Sequence, residues 1–194
     1  RVLCALAPWI GVHRPRLPVT CVRTFFRQLL LAREPVVFNE VVQALPVICP
    51  SLACHMTATQ AEDLVLETAR AWMDQTPTCD PLHGLLQRAR EALEAMPHTT
   101  RIRNELAFLN LLARLHEYAW PSSAEPLTPR RVRAVPQKLE LFARVLAYNR
   151  DAYQTRQIRS LGEACSEGSG STDNAVRISA MLVDAAAANG DLVA

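Results

Sequence analysis

Asn104–Tyr118, NELAFLNLLARLHEY, is the stretch whose reading decides the fold. At 100° per residue, Ile102, Leu106, Leu109 and Ala113 form one apolar row and Phe108, Leu112, Leu115 and Ala119 a second, while Arg103, Asn110, Arg114 and Glu117 share a narrow polar stripe. A helix that covers a core from one side needs an apolar face of only roughly 100°. The arc here is wider, so the helix is expected to lie between helical neighbours on two sides, with Leu106, Leu109, Leu112 and Leu115 in the core. Stacked helix arrays bury their helices in this way.

Downstream, WPSSAEPLTPRR is loop-like, with an internal loop over 121–128. Thr128-Pro129 then offers a cap and a proline at the first helical position, predicting one or two turns to Val135. After Pro136, QKLELFARVLAYN places Leu139, Phe142 and Leu146 on one row and Leu141, Val145 and Tyr148 on another, which adds Phe142 and Leu146 to the expected core. Asp151 is expected to cap a helix carrying Tyr153, Ile158 and Leu161. SEGSGSTD, 166–173, reads as a flexible Gly/Ser loop, Asp173 as the cap of a last, alanine-rich helix, and Gly190 as its C-terminal stop.

Upstream, Val19–Arg33 has helical period, with Val22, Phe25, Phe26, Leu29 and Leu30 on one side and Pro35 ending it. Val36–Leu45 is short and apolar and reads as a helix stopped by Pro46, followed by a broken turn. Thr57-Ala-Thr-Gln60 has the spacing of a capping box. It predicts a helix to about Gln75 with Ala61, Leu64, Val65, Ala69, Trp72 and Met73 inward. Asp80-Pro81 predicts another start, with Leu82, Leu85, Leu86, Ala89, Leu93 and Met96 inward.

Thirteen prolines and six glycines fall almost entirely between these periodic segments, and no run alternates polar and apolar residues, so no strand is predicted. The fold class read from this is all-α: eight to ten helices, stacked as antiparallel pairs in an α-solenoid. The 194 residues, 49% hydrophobic and 21% charged, suit a globular chain with a sizeable core and exclude a disordered tail. Residues 1–194 are expected to be a single helical-array fragment of a longer protein. Val41–Ala61 lacks charged residues, but Pro46, Pro50 and its polar side chains exclude a membrane span.

Chemistry is hard to find. The six cysteines, Cys4, Cys21, Cys49, Cys54, Cys79 and Cys165, are scattered, as expected of reduced thiols in the cytosol. Cys49, Cys54 and His55 with Cys79 and His83 fit no zinc spacing, so no metal and no cofactor is expected. Motifs for metalloproteases, nucleophile elbows, phosphate loops, dinucleotides and EF-hands are absent, and no catalytic residue is assigned. Net charge is +2, unevenly spread: Thr128–Ser160 carries eight basic residues against Glu140 and Asp151. Arg130, Arg131, Arg133, Arg144, Arg156 and Arg159 form a possible basic interaction surface, facing an acidic partner or simply solvent. Nucleic-acid binding is disfavoured, because only Tyr148 and Tyr153 could stack on bases nearby.

The order of elements from NELAFLNLLARLHEYAW through PLTPRRVRAV and PQKLELFARVLAYNRDAYQTRQIRSLGEAC to VRISAMLVDAAAANGDLVA resembles the Sec-thirty-nine domain family, the helical domain of NBAS-like and fungal tether subunits. Glu105, Leu106, Leu109, Leu127, Val132, Arg133, Leu139, Leu146, Tyr153, Leu161, Leu182, Ala186, Gly190 and Asp191 carry the resemblance, which covers about the last half of the chain. The polar helix after Tyr153 and the SEGSGSTD segment depart from the family pattern.

The resemblance implies a scaffold or tether subunit of the Dsl/NRZ complex in Golgi-to-ER retrograde transport. Such a subunit is not an enzyme. It would bind tether subunits and ER SNAREs, sit peripherally on the cytoplasmic face of the endoplasmic reticulum through those partners, and occupy the cytosol. Two alternatives stand beside it: an Arg-rich helical module for nucleic acid or anionic membrane, and a kinetochore scaffold of the related Rod type.

Overall fold

Short polar caps decide where helices begin in this chain. The computed structural model describes residues 19–31, 40, 57–118, 126–149, 151–166 and 172–189. Among them are eight α-helices and one 3-10 turn, and no strand. The helices are α1 (Val19–Leu30), α2 (Ala58–Gln75), α3 (Gly84–Glu94), α4 (Thr100–His116), α5 (Pro129–Ala134), α6 (Leu139–Tyr148), α7 (Arg156–Ser166) and α8 (Thr172–Ala188), with the 3-10 turn at Ala152–Gln154.

The capping box before α2 is formed in both directions. Thr57 Oγ1 accepts the Gln60 N–H at 3.2 Å, and Gln60 Oε1 accepts the Thr57 N–H at 2.9 Å. Thr128 caps α5 in one direction only, its hydroxyl accepting the Arg131 N–H at 3.3 Å with Pro129 next in line. Three other expected caps are corrected. Asp80 Oδ1 accepts the Leu82 N–H at 2.9 Å and its carbonyl accepts the His83 N–H at 3.0 Å, so Asp80 closes a separate turn and α3 begins only at Gly84. That turn takes Leu82 out of helical phase, leaving it 83% exposed where the pattern had placed it inward. Asp151 makes no side-chain cap; the chain first forms the 3-10 turn, and α7 starts at Arg156. Asp173 lies inside the first turn of α8. Expectations for Val36–Leu45, for most of the two loops and for Gly190 fall outside the described residues.

The chain divides into two compact units. The first comprises residues up to Gln75 together with Gly84–Leu106. Here α2 packs on α1 and α3, burying Ala61, Leu64, Val65, Leu66, Ala69, Trp72 and Met73 against Leu86, Ala89, Ala92 and Leu93 of α3 among others. Arg101 at the start of α4 reaches Asp63 at 2.7 Å and Glu62 at 3.5 Å, and Arg70 contacts Glu105 at 2.5 Å. Two contacts advancing in the same direction along both helices make α2 and α4 co-directional, with α3 as the return segment of the chain. This is the up-down-up order that stacked helix pairs require. Phe25 of α1, expected on its apolar side, is 48% exposed, whereas Leu30 is fully buried.

The second unit comprises Thr76–His83 and the chain from Ala107 onward. Its core is the three-way contact of α6, α7 and α8, centred on Phe142, Val145, Ile158, Leu161, Cys165 and Ile178. Gly162 sets how closely they approach. A Cβ placed there would lie 2.9 Å from Ile178 Cγ2 and 3.2 Å from Phe142 Cζ. Glycine in a helix interior forgoes up to about 1 kcal/mol of propensity relative to alanine. Ile178 is buried and stiff about its first torsion, and Phe142 has no room to retreat, so crowding outweighs that gain. Gly162→Ala is therefore expected to lower stability by about 1 kcal/mol, read as a fall in the urea midpoint at unchanged slope.

Burial along α4 follows a wide arc, as its pattern demands, but the arc is rotated. Ile102, Glu105, Leu109, Leu111, Leu112 and Leu115 are buried and Leu106 is only half-buried. The row assumed from the apolar residues put Leu106 near the middle. Glu105 takes that place, because Arg70 satisfies its carboxylate at 2.5 Å.

Candidate interaction surface

The basic residues between Arg130 and Arg159 divide by what their side chains do. Arg133 lies over the Phe108 ring, 4.2 Å from its centroid, and its carbonyl accepts from Lys138 Nζ at 3.1 Å. Lys138 Nζ also donates to the Val135 carbonyl, and burial, followed by the neighbouring Arg133 charge, lowers its pKa below the ordinary lysine value. Arg131 reaches the Pro126 carbonyl at 3.4 Å. These groups tie α5 to the turn before α6 and to α4. Arg114 performs a similar task, donating to the Ser160 carbonyl on α7.

Arg130, Arg144, Arg156 and Arg159 are exposed. Arg156 and Arg159, three residues apart, share the outer face of α7 with exposed Glu163. Of the six arginines read as a basic surface, the structure thus joins Arg131 and Arg133 to internal contacts and leaves four on the exterior, on three different helices. Of the expected core residues, Leu109, Leu112, Leu115, Phe142 and Leu146 are buried.

A groove of about 480 Å³ runs between α6 and α8, lined chiefly by Ala143, Leu146 and Ala147 on one wall and Met181, Asp184 and Ala185 on the other. Tyr148, 56% exposed, adjoins the α6 wall in sequence. A shallow trough of small apolar walls with Asp184 and Asn189 on its lining suits a polypeptide side chain or helix better than a reaction. Nothing in the pattern singled these residues out, because alanines and a methionine carry no chemistry until two helices align them; the alanine richness of the last segment was the only signal.

Two of the three described thiols are unsuited to nucleophilic work. Burial pushes Cys79 and Cys165 up to about 12, so both are held as thiols, and Cys79 Sγ donates to the Leu127 carbonyl at 3.4 Å. Cys21 is exposed. Brief alkylation at pH 8 followed by peptide mapping is expected to label Cys21 and to spare Cys79 and Cys165 until denaturant is added. Among the described residues no helix is long and apolar enough to cross a membrane.

Comparison with curated proteins and with solved structures finds no match. The family model for Secretory pathway protein Sec39 matches residues 23–192. The matched span takes in α2 and α3 as well as the later helices from which the resemblance was read. Helix-pair packing within the matched span, with no strand among the described residues, agrees with that assignment. The chain belongs to the Sec39 family of secretory pathway proteins.

Proposed function

We propose that this chain is a scaffold or tether segment in Golgi-to-ER retrograde transport, binding tether subunits and ER SNAREs through helical surfaces at the cytoplasmic face of the endoplasmic reticulum. The family match over 23–192 is the observation that carries this reading. Helix pairs whose exposed faces combine apolar grooves with scattered charges supply the kind of surface such binding uses. Membrane association comes through partners, and the chain carries out no reaction of its own.

The test is co-precipitation of the chain with the cytosolic domains of ER SNAREs and of tether subunits, repeated from low to high salt. Binding that persists with a shallow salt dependence supports the reading. Absence of binding to every such domain, or a chain that instead binds RNA or anionic vesicles with an affinity falling steeply with salt, overturns it. The second outcome is disfavoured on structural grounds, since Arg131, Arg133 and Lys138 make internal contacts.

A further inference from the structure

Helix α8 has two opposite apolar faces, and among the described residues only one of them is covered. Asn174 and Ile178 are buried in the contact with α6 and α7. On the far side Val176, Ala180, Val183 and Ala187 succeed one another at intervals of four, three and four residues, the spacing of a helix-pairing seam. All four are exposed, Val176 by 66% and Val183 by 55%. A lone exposed valine is ordinary, whereas two on one seam with alanines between them leave a stripe flat enough for another helix backbone to approach closely.

The charges beside the seam indicate which helix. Arg177 and Asp184 are exposed, each one residue after a valine, and therefore lie on the same flank. In a parallel pair of identical helices that flank meets the other, which carries Ser179 and Ala186, and neither charge is matched. In an antiparallel pair Val176 of one copy stands opposite Ala187 of the other and Ala180 opposite Val183. The flank bearing Arg177 then runs along the flank bearing Asp184. Two-fold symmetry makes this pairing twice, since each residue meets in the partner the residue that meets it.

We propose that the outer face of α8 is a self-association surface, on which a second copy of this chain docks its own α8 antiparallel, with Arg177 and Asp184 paired across the two-fold axis. The seam spans 12 residues, about 18 Å of helix, so the contact belongs to the small, transient class of interfaces and needs high local concentration. The inference stands independently of the tether reading.

The test is sedimentation of the chain over a concentration series up to about 1 mM, where weak dimers are populated. A reversible monomer–dimer equilibrium is expected, abolished by Ala180→Glu or Val183→Glu. Arg177→Asp and Asp184→Arg should each weaken the dimer about tenfold, because each turns two attractions into two repulsions. The double variant R177D/D184R should recover most of the wild-type association. Unchanged melting curves for all variants, expected at exposed positions, separate loss of pairing from loss of fold. A chain that is monomeric throughout the series, or a double variant no better than either single one, overturns the proposal and leaves this face to a different helix.

Discussion

Leu109→Asp is expected to abolish the cooperative thermal transition of the chain. Leu109 is 3% exposed at the centre of the buried arc of α4, among Ile102, Glu105 and Leu112. Removing its side chain from the core forfeits about 2–3 kcal/mol of burial, and placing a carboxylate there adds several kcal/mol of desolvation. The new charge would also lie one turn from Glu105, already a buried anion with Arg70 engaged to it at 2.5 Å, so the nearest cation is occupied and the nearest neighbour is repulsive. The sum, on the order of 5 kcal/mol or more, rivals the whole stability of many domains. Circular dichroism during heating should show a gradual decline with no midpoint. Leu106→Asp is the control: half-buried at the edge of the arc, its carboxylate can turn to water, and a cooperative transition should survive with a loss below about 2 kcal/mol. Equal behaviour of the two variants would contradict the placement of the buried arc.

Phe142→Ala should be the most damaging truncation in the second unit, at about 3–5 kcal/mol, or about 10 °C in Tm for a chain of this size. Phe142 is fully buried, and its ring fills the space between α6 and α7, where its Cζ would be 3.2 Å from a Cβ on Gly162. A small residue on α7 and a large one on α6 are therefore complementary shapes, and truncating the large one leaves a void that the tightly held backbone of α7 cannot close. That complementarity makes a second measurement decisive. In the Phe142→Ala background, the cost of Gly162→Ala should shrink, since one of the two groups crowding the added methyl is gone while Ile178 remains. Additive effects in urea denaturation would show that Phe142 and Gly162 do not share a packing site.

Much of the fold could be read in the residues because helix formation is governed by local rules. Thr57 with Gln60 and Thr128 with Pro129 mark helix starts through contacts no more than three residues apart, and both form as the spacing requires. Asp80 and Asp151 show the limit of such rules. An aspartate before an apolar run can cap a helix or close a turn, and the packing of the downstream residues makes the choice: at Asp80 the turn closes on Leu82 and His83. The basic residues show the same limit on the functional side. A count of arginines cannot distinguish Arg133, held over Phe108 at 4.2 Å, from exposed Arg144, because the distinction rests on a residue 25 positions away and on the packing between helices.

The sequence by itself determined that this chain is helical, roughly where each helix lies, that helix 100–116 must be covered over a wide arc, and, through the family pattern, that it belongs to the Sec39 family of secretory pathway proteins. These properties arise from periodicity, capping and motif order, all short-range and written in consecutive residues. Only the tertiary structure decided that Glu105 rather than Leu106 occupies the buried arc, that Gly162 admits Phe142 and Ile178, that alanines of α6 and α8 line a groove, and that one apolar face of α8 is exposed among the described residues. Each of these depends on which residue of a distant helix stands opposite. Two side chains of the same periodicity can face a salt-bridge partner, a glycine or solvent, and the energy that chooses among them arises only when the helices meet.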